Sequence, residues 1–135
     1  MQHLDIADLV RRSLLGRGCS AEQVGSFDGH SNIELQLTNL PSLNIEQLDQ
    51  DVWLWSALED CTPNLLNYCG ADLLQFLMKG WYFARSGQMQ LVDADGRLEL
   101  RAMLNETALS SEDGMGDALD AFLESMEAVQ GIIRR

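Results

Sequence analysis

The sequence predicts an α+β fold in which three helices accompany a mostly antiparallel sheet, in the order α-β-β-β-α-β-β-α. Three stretches place apolar residues at spacings of three and four, which is typical of helices. The stretches between them alternate apolar and polar residues, as strands do, and two Asp-Gly pairs favour tight hairpin turns. A chain of 135 residues is long enough to bury a sizeable core, and we expect one domain over residues 1–135.

The first helix is predicted over residues 2–16 and ends at Gly16. Its buried side consists of Leu4, Ile6, Leu9, Val10, Leu14 and Leu15. An Asp28-Gly29 turn then precedes a strand in which Ile33, Leu35 and Leu37 alternate with polar residues.

A short strand through Leu43 and Ile45 follows, and then a strand over residues 52–58 whose two faces are both apolar. Trp53 and Trp55 lie on one face, and Val52, Leu54 and Leu58 lie on the other. Such a strand is expected in the middle of the sheet, with other elements covering both of its faces.

The central helix is predicted to begin after the cap residue Thr62, with Pro63 in the first position, and to end before Gly80. Its apolar residues cover about two thirds of the circumference, whereas a helix lying on one sheet needs a stripe of about 100°. The alternative is a helix buried within one chain, but this chain offers little other material to cover it. We therefore expect a face shared with a second copy of the chain, since two-fold dimers are the commonest oligomers. The candidate dimer-interface residues are Leu66, Leu74, Leu77 and Met78.

A second hairpin turns at Asp95-Gly96, after which Leu98, Leu100, Ala102 and Leu104 alternate with polar residues and leave one face in water. The last helix is predicted to begin after Ser110 or Ser111, with Asp113 placed for a capping box. Its single apolar stripe consists of Met115, Ala118, Leu119, Phe122, Leu123, Met126, Val129, Ile132 and Ile133.

The formal net charge is −12, and it is unevenly distributed. Residues 31–60 contain six carboxylates and no Lys or Arg, whereas residues 61–90 contain one carboxylate and two basic residues. This balance argues against binding to nucleic acid or to an anionic membrane surface, because both attract basic patches.

The three cysteines, Cys19, Cys61 and Cys69, are odd in number and lack metal-ligand spacing, which favours reduced thiols in a cytoplasm. The first residues do not have the pattern of a signal peptide, which also predicts a cytoplasmic location.

The sequence contains no set of residues typical of catalysis, so we do not expect an enzyme. His3 and His30 have no nucleophile or acid at a recognisable spacing, and no glycine-rich phosphate loop is present. No cofactor or metal site is expected. Trp53 and Trp55 leave an alternative open, in which they line the pocket of a small ligand-binding or regulatory adaptor domain instead of packing in the core.

Several stretches, in the same order along nearly the whole chain, resemble one known family. They are MQHLDIADLVRRSL, GHSNIELQL, LPSLNI, DVWLWSAL and YFARSGQMQL. The resemblance is to the invasion protein B / surface presentation of antigens protein K family, the class IB type III secretion chaperones. It implies a small, acidic, cytoplasmic homodimer whose second helix contributes to the dimer contact. It also implies that the dimer binds an extended N-terminal segment of several effector proteins without hydrolysing ATP. ATPase or sorting components of the secretion apparatus are further partners to be expected.

An extended client segment can add to an exposed sheet edge through main-chain hydrogen bonds, with alternate side chains entering apolar pockets. The candidate effector-binding residues are Leu4 and Ile6 on the first helix and Ile33, Leu35, Leu43 and Ile45 on the neighbouring strands. The competing interpretation is that these alternating apolar residues belong to the core.

Overall fold

A computed structural model of the chain describes residues 5–16 and 32–134. The elements are α1 (Ile6–Gly16), β1 (Ile33–Leu35), β2 (Leu43–Leu48), β3 (Asp51–Asp60), α2 (Pro63–Met78), β4 (Gln90–Ala94), β5 (Arg97–Met103), α3 (Glu106–Leu109) and α4 (Glu112–Ile133). The predicted α+β class and element order are confirmed, and the short helix α3 is an addition to them. The predicted Asp28-Gly29 turn, Leu4, Cys19 and both histidines lie outside the described residues.

The five strands form one antiparallel sheet in the order β1-β2-β3-β5-β4. β3 is therefore the middle strand, as its two apolar faces predicted. Leu54 faces Ile45 of β2 on one side and Ala102 of β5 on the other, and all three side chains are buried. On the opposite face Trp53 and Trp55 are only half-buried, so the expectation that both faces are covered is wrong for the part of the chain described.

Two tight turns connect the outer hairpins of the sheet. Asp95 and Gly96 have φ values of 54° and 88°, as expected for the Asp-Gly turn between β4 and β5. The turn between β2 and β3 uses Asp49, with a φ of 56°, followed by Gln50. Aspartate is one of the few residues other than glycine that tolerates this left-handed backbone region.

The helices form a second layer around α4. α1, α2 and α3 each pack on α4, and α4 also contacts β3. Phe122, Met126 and Val129 of α4 are fully buried, so the predicted stripe of this helix lies in the core. Trp81 and Phe122 also form a T-shaped ring pair, with the ring centroids 6.0 Å apart.

The caps of the two long helices show where sequence patterns are reliable. The Thr62 hydroxyl accepts a hydrogen bond from the Leu65 N–H at 3.1 Å, and Gly80 has a φ of 81°, so both predicted ends of α2 are confirmed. At α4 the cap is Ser111, which accepts from the Gly114 N–H at 2.9 Å. The third helical position is therefore Gly114, and the capping-box position predicted for Asp113 is wrong.

One carboxylate on the face of β5 predicted to be wet is buried. Glu99 is 9% exposed, and its Oε1 lies 2.8 Å from Nε and 2.7 Å from Nη2 of Arg101. Two nitrogens of one guanidinium thus contact the same carboxylate oxygen, and this charged pairing lets Glu99 lie close to the sheet between its cross-strand neighbours Ala57 and Val92.

Candidate interaction surfaces

Three of the four candidate dimer residues lie on the side of α2 that faces away from the core. Leu66, Leu74 and Met78 are 47%, 57% and 66% exposed, and Leu77 is half-buried between this side and the core side. The core side of the helix is marked by Cys69 and Leu73, which are both buried. The helix thus has the two apolar faces that its sequence predicted, and one of them is open in a single chain.

Large apolar side chains are exposed mainly in this region. Of the seven with high exposure in the described chain, five lie on α2 or just after it: Leu66, Tyr68, Leu74, Met78 and Tyr82. Sequence reasoning missed Tyr82, which lies two residues after Gly80, is 73% exposed and forms a T-shaped ring pair with Phe83. Tyr82 lies between the aromatic residues Trp81 and Phe83, and no pattern in that stretch identifies the outward residue.

The six candidate effector-binding residues occupy different environments. Ile6, Ile33, Leu43 and Ile45 are buried in the core, Leu35 is half-buried, and Leu4 lies outside the described residues. Among those described, only Leu35 thus presents part of its side chain at the surface. The sequence pattern brought together residues that do share one face of the sheet, because Ile33 pairs with Ile45 and Leu35 with Leu43.

Leu35 belongs to β1, which is an edge strand of the sheet. Within the described ranges β1 pairs with β2 alone, along Ile33, Glu34 and Leu35. The main-chain groups on the other side of an edge strand can pair with an added strand. β4 forms the second edge of the sheet, next to β5.

The face opposite the helices carries the tryptophans and several polar groups. The Trp55 Nε1–H donates to Glu46 Oε2 at 3.1 Å, and Asn44 Nδ2 lies 3.5 Å from the Trp55 carbonyl oxygen. Asn32 Nδ2 donates to Asn44 Oδ1 at 2.9 Å. This face near β1 therefore combines half-buried indole rings with carboxylates, Glu34 among them.

Two surface cavities lie elsewhere. The larger, of about 290 Å³, is lined by Asn39, Leu40, Glu127, Gln130, Gly131 and Arg134. The second, of about 190 Å³, is lined by Ala57, Leu58, Glu59, Asp60 and Arg97. Neither cavity is lined by Trp53 or Trp55, so neither forms the tryptophan pocket of the alternative interpretation.

Reactive groups in the described chain have ordinary structural settings. Burial, with a smaller contribution from the Asp72 carboxylate, raises the pKa of the Cys69 thiol, which donates to the Leu65 carbonyl oxygen at 3.2 Å. A raised pKa makes a thiol a poorer nucleophile.

No group of three or more His, Cys, Asp or Glu residues within the described ranges is arranged to hold a metal ion. Over the same ranges, no helix combines the length and apolar character that a membrane span requires.

Comparison with known proteins places this arrangement in a family. Residues 18–95 match the invasion protein B family. The surface presentation of antigens proteins SpaK of Salmonella typhimurium and Salmonella typhi are each 38% identical over 135 residues, which covers both chains completely. In fold, the chain is similar to a chain in the heterodimeric complex ExoU-SpcU from the type III secretion system of Pseudomonas aeruginosa. That match has a TM-score of 0.55 and 20% identity, and it covers 92% of this chain and 93% of the other. The resemblance noted in the sequence is confirmed, and the chain belongs to the invasion protein B family of type III secretion chaperones.

Proposed function

We propose that this chain works as a homodimer in the bacterial cytoplasm and binds the extended N-terminal chaperone-binding segments of several effector proteins. Binding keeps these segments soluble, unaggregated and ready for secretion, and it requires no catalysis or cofactor. Residues 1–135 act as one domain in this proposal. Delivery then brings the complex to ATPase or sorting components of the secretion apparatus.

The observation that carries the proposal is the edge of β1, which in the described chain pairs with β2 alone. An extended client segment adds to such an edge by main-chain hydrogen bonds, which is independent of client sequence and suits a chaperone with several clients. Leu35, half-buried at this edge, supplies apolar contact for alternate client side chains. The buried candidates Ile6, Ile33, Leu43 and Ile45 support this surface from within and contact a client only if the edge opens.

The charges around β1 indicate which client segments fit. Glu34 and Glu46 lie on the sheet face opposite the core, and residues 31–60 contain no basic side chain. A client strand beside β1 alternates between the two faces, so apolar residues meet Leu35 and basic residues meet the carboxylates. The preferred segment therefore alternates apolar and basic or polar residues.

The solved complex similar in fold supports an effector as the partner, since it joins SpcU with ExoU. The homodimer rests on the exposed apolar side of α2, which is unlike the rest of the acidic surface. Hiding this side in a dimer removes an exposed patch of the kind that otherwise promotes aggregation.

The test is recovery of clients from the chain's own bacterium by affinity purification of the tagged protein, followed by limited proteolysis of each complex. The proposal expects a protected segment near the N-terminus of each secreted client, because an extended segment is cut readily when free. Leu35→Glu should reduce recovery strongly, whereas Leu91→Glu, the same change at a half-buried leucine of the other edge strand β4, should retain it. Circular dichroism of both variants shows that they are folded. Clients recovered equally with all three proteins would contradict the β1 site, and clients held through folded domains would contradict the chaperone mode.

A further inference from the structure

The exposed side of α2 has a gap in the middle of its apolar ridge. Leu66, Gly70, Leu74 and Met78 follow at intervals of four residues, so they form one ridge along the helix. The three side chains are exposed, and Gly70 between them has none. A Cβ atom placed at Gly70 meets nothing within 4 Å in the single chain.

The contacts of a single chain do not explain this glycine. Glycine in a helix interior is less favourable than alanine by about 1 kcal/mol. At Gly114 a close backbone neighbour explains the glycine, but at Gly70 there is open space. Because glycine has no side chain, two backbones can approach each other more closely at a glycine than at any other residue.

We propose that Gly70 is the point of closest approach between the α2 helices of two copies of the chain. This inference rests on the proposed homodimer and adds its geometry. In a two-fold contact the same surface of each copy meets itself. We place the two-fold axis at Gly70 and perpendicular to the two helices, which then run in opposite directions. Leu66 and Leu74 lie four residues before and after Gly70, so Leu66 of one copy faces Leu74 of the other.

The charge distribution favours a second copy as the occupant of this ridge. Each copy has a net charge of −12, so most pairs of surfaces repel when two copies meet. Residues 61–90 contain one carboxylate, Asp72, with Lys79 and Arg85, and the ridge itself has no charged residue. A basic partner would instead be attracted to the carboxylates of residues 31–60 and of α4.

Gly131 supplies a matched control. It also lies in a helix, and a Cβ atom there meets nothing within 4 Å. The residue four positions before it is Glu127, so it interrupts no apolar ridge. Alanine at either glycine should raise the helix stability of a single chain by a similar amount, and a difference between them in dimer affinity reports a contact between copies.

The experiment measures the dimer dissociation constant by sedimentation equilibrium for the wild-type chain, Gly70→Ala, Gly131→Ala and Leu74→Glu. Overpacking at a close contact predicts that Gly70→Ala weakens the dimer by about tenfold or more, with a larger loss for Gly70→Leu. Gly131→Ala should leave the dissociation constant within about twofold of wild type. Circular dichroism of the monomeric fractions confirms that each variant is folded.

The possible results distinguish a failure of the crossing at Gly70 from a failure of the homodimer proposal. A wild-type dimer that Leu74→Glu dissociates but Gly70→Ala leaves intact overturns the crossing at Gly70 and retains α2 as the interface. A wild-type dimer unaffected by both variants overturns the use of α2 altogether. A wild-type chain that remains monomeric overturns the homodimer, and the crossing point with it.

Discussion

The replacement of Gly114 by alanine tests a close backbone contact between α3 and α4. The Cβ atom of an alanine at this position would lie 2.1 Å from the carbonyl oxygen of Thr107 in α3 and 3.2 Å from Ser111 Oγ. Real Cβ atoms essentially never approach a neighbour closer than 3.0 Å, so α3 and α4 would have to separate by about 1 Å. The obstacle is backbone, and a side-chain rotation does not relieve it.

The cap residue Asn105 both closes the first turn of α3 and joins this helix to the segment after α2. Asn105 Oδ1 accepts from the Ala108 N–H at 3.0 Å, and Asn105 Nδ2 donates to the Tyr82 carbonyl oxygen at 2.7 Å. Ala108 is also fully buried. Overpacking of a fixed core contact costs about 3 kcal/mol at the upper end of its usual range. The better helix propensity of alanine offsets about 1 kcal/mol of this cost, so the free energy of unfolding should fall by about 2 kcal/mol.

Urea unfolding followed by circular dichroism measures this loss, at one protein concentration for all variants because dimerisation affects apparent stability. Gly131→Ala is the control, since the same change in the same helix meets open space and should stabilise by up to about 1 kcal/mol. A Gly114→Ala variant as stable as Gly131→Ala would refute the contact between α3 and α4.

Two further predictions concern buried groups. Ser13 is 2% exposed, and its hydroxyl lies 2.8 Å from the Leu9 carbonyl oxygen and 3.0 Å from that of Glu112, so it joins α1 to the start of α4. Ser13→Ala should lower the free energy of unfolding by about 1–2 kcal/mol, against almost no change for the exposed Ser110→Ala, and equal stabilities would contradict the link. Cys69 should react with iodoacetamide far more slowly than half-buried Cys61, because it is buried with a raised pKa, as peptide mass spectrometry of the native protein can show. The raised pKa also contributes stability that is full below the thiol's ordinary range and is lost as the pH rises through the folded value, so Cys69→Ala should flatten an alkaline loss of stability.

The parts of the fold that the sequence predicts well are those decided by neighbouring residues. The ends of α2 depend on Thr62, Pro63 and Gly80, which act within one turn of the helix. The Asp95-Gly96 turn is equally local. The short helix α3 escaped prediction because four residues are too few to show a helical period, and the Asp49 turn because Asp-Gln is not a typical turn pair.

The parts that depend on distant residues could not be predicted. Burial of Glu99 requires Arg101 and the cross-strand neighbours, and the close approach at Gly114 requires α3. The same limit explains the two sets of candidate site residues. An apolar period shows that Ile45 and Leu74 both avoid water, but it cannot show that Ile45 is covered by its own chain and that Leu74 is open.

The strand order has a consequence for the chain as it leaves the ribosome. β3 ends at Asp60, but its partner β5 is complete only at Met103, about 40 residues later. At synthesis rates of about 5–20 residues per second, this most apolar strand waits for several seconds with one edge unpaired. The hairpin of β2 and β3 can form at once, and so can that of β4 and β5 when it emerges. The seam between Trp53 and Asp60 of β3 and its β5 partners therefore closes last in the sheet, and during that interval the new chaperone is itself open to aggregation.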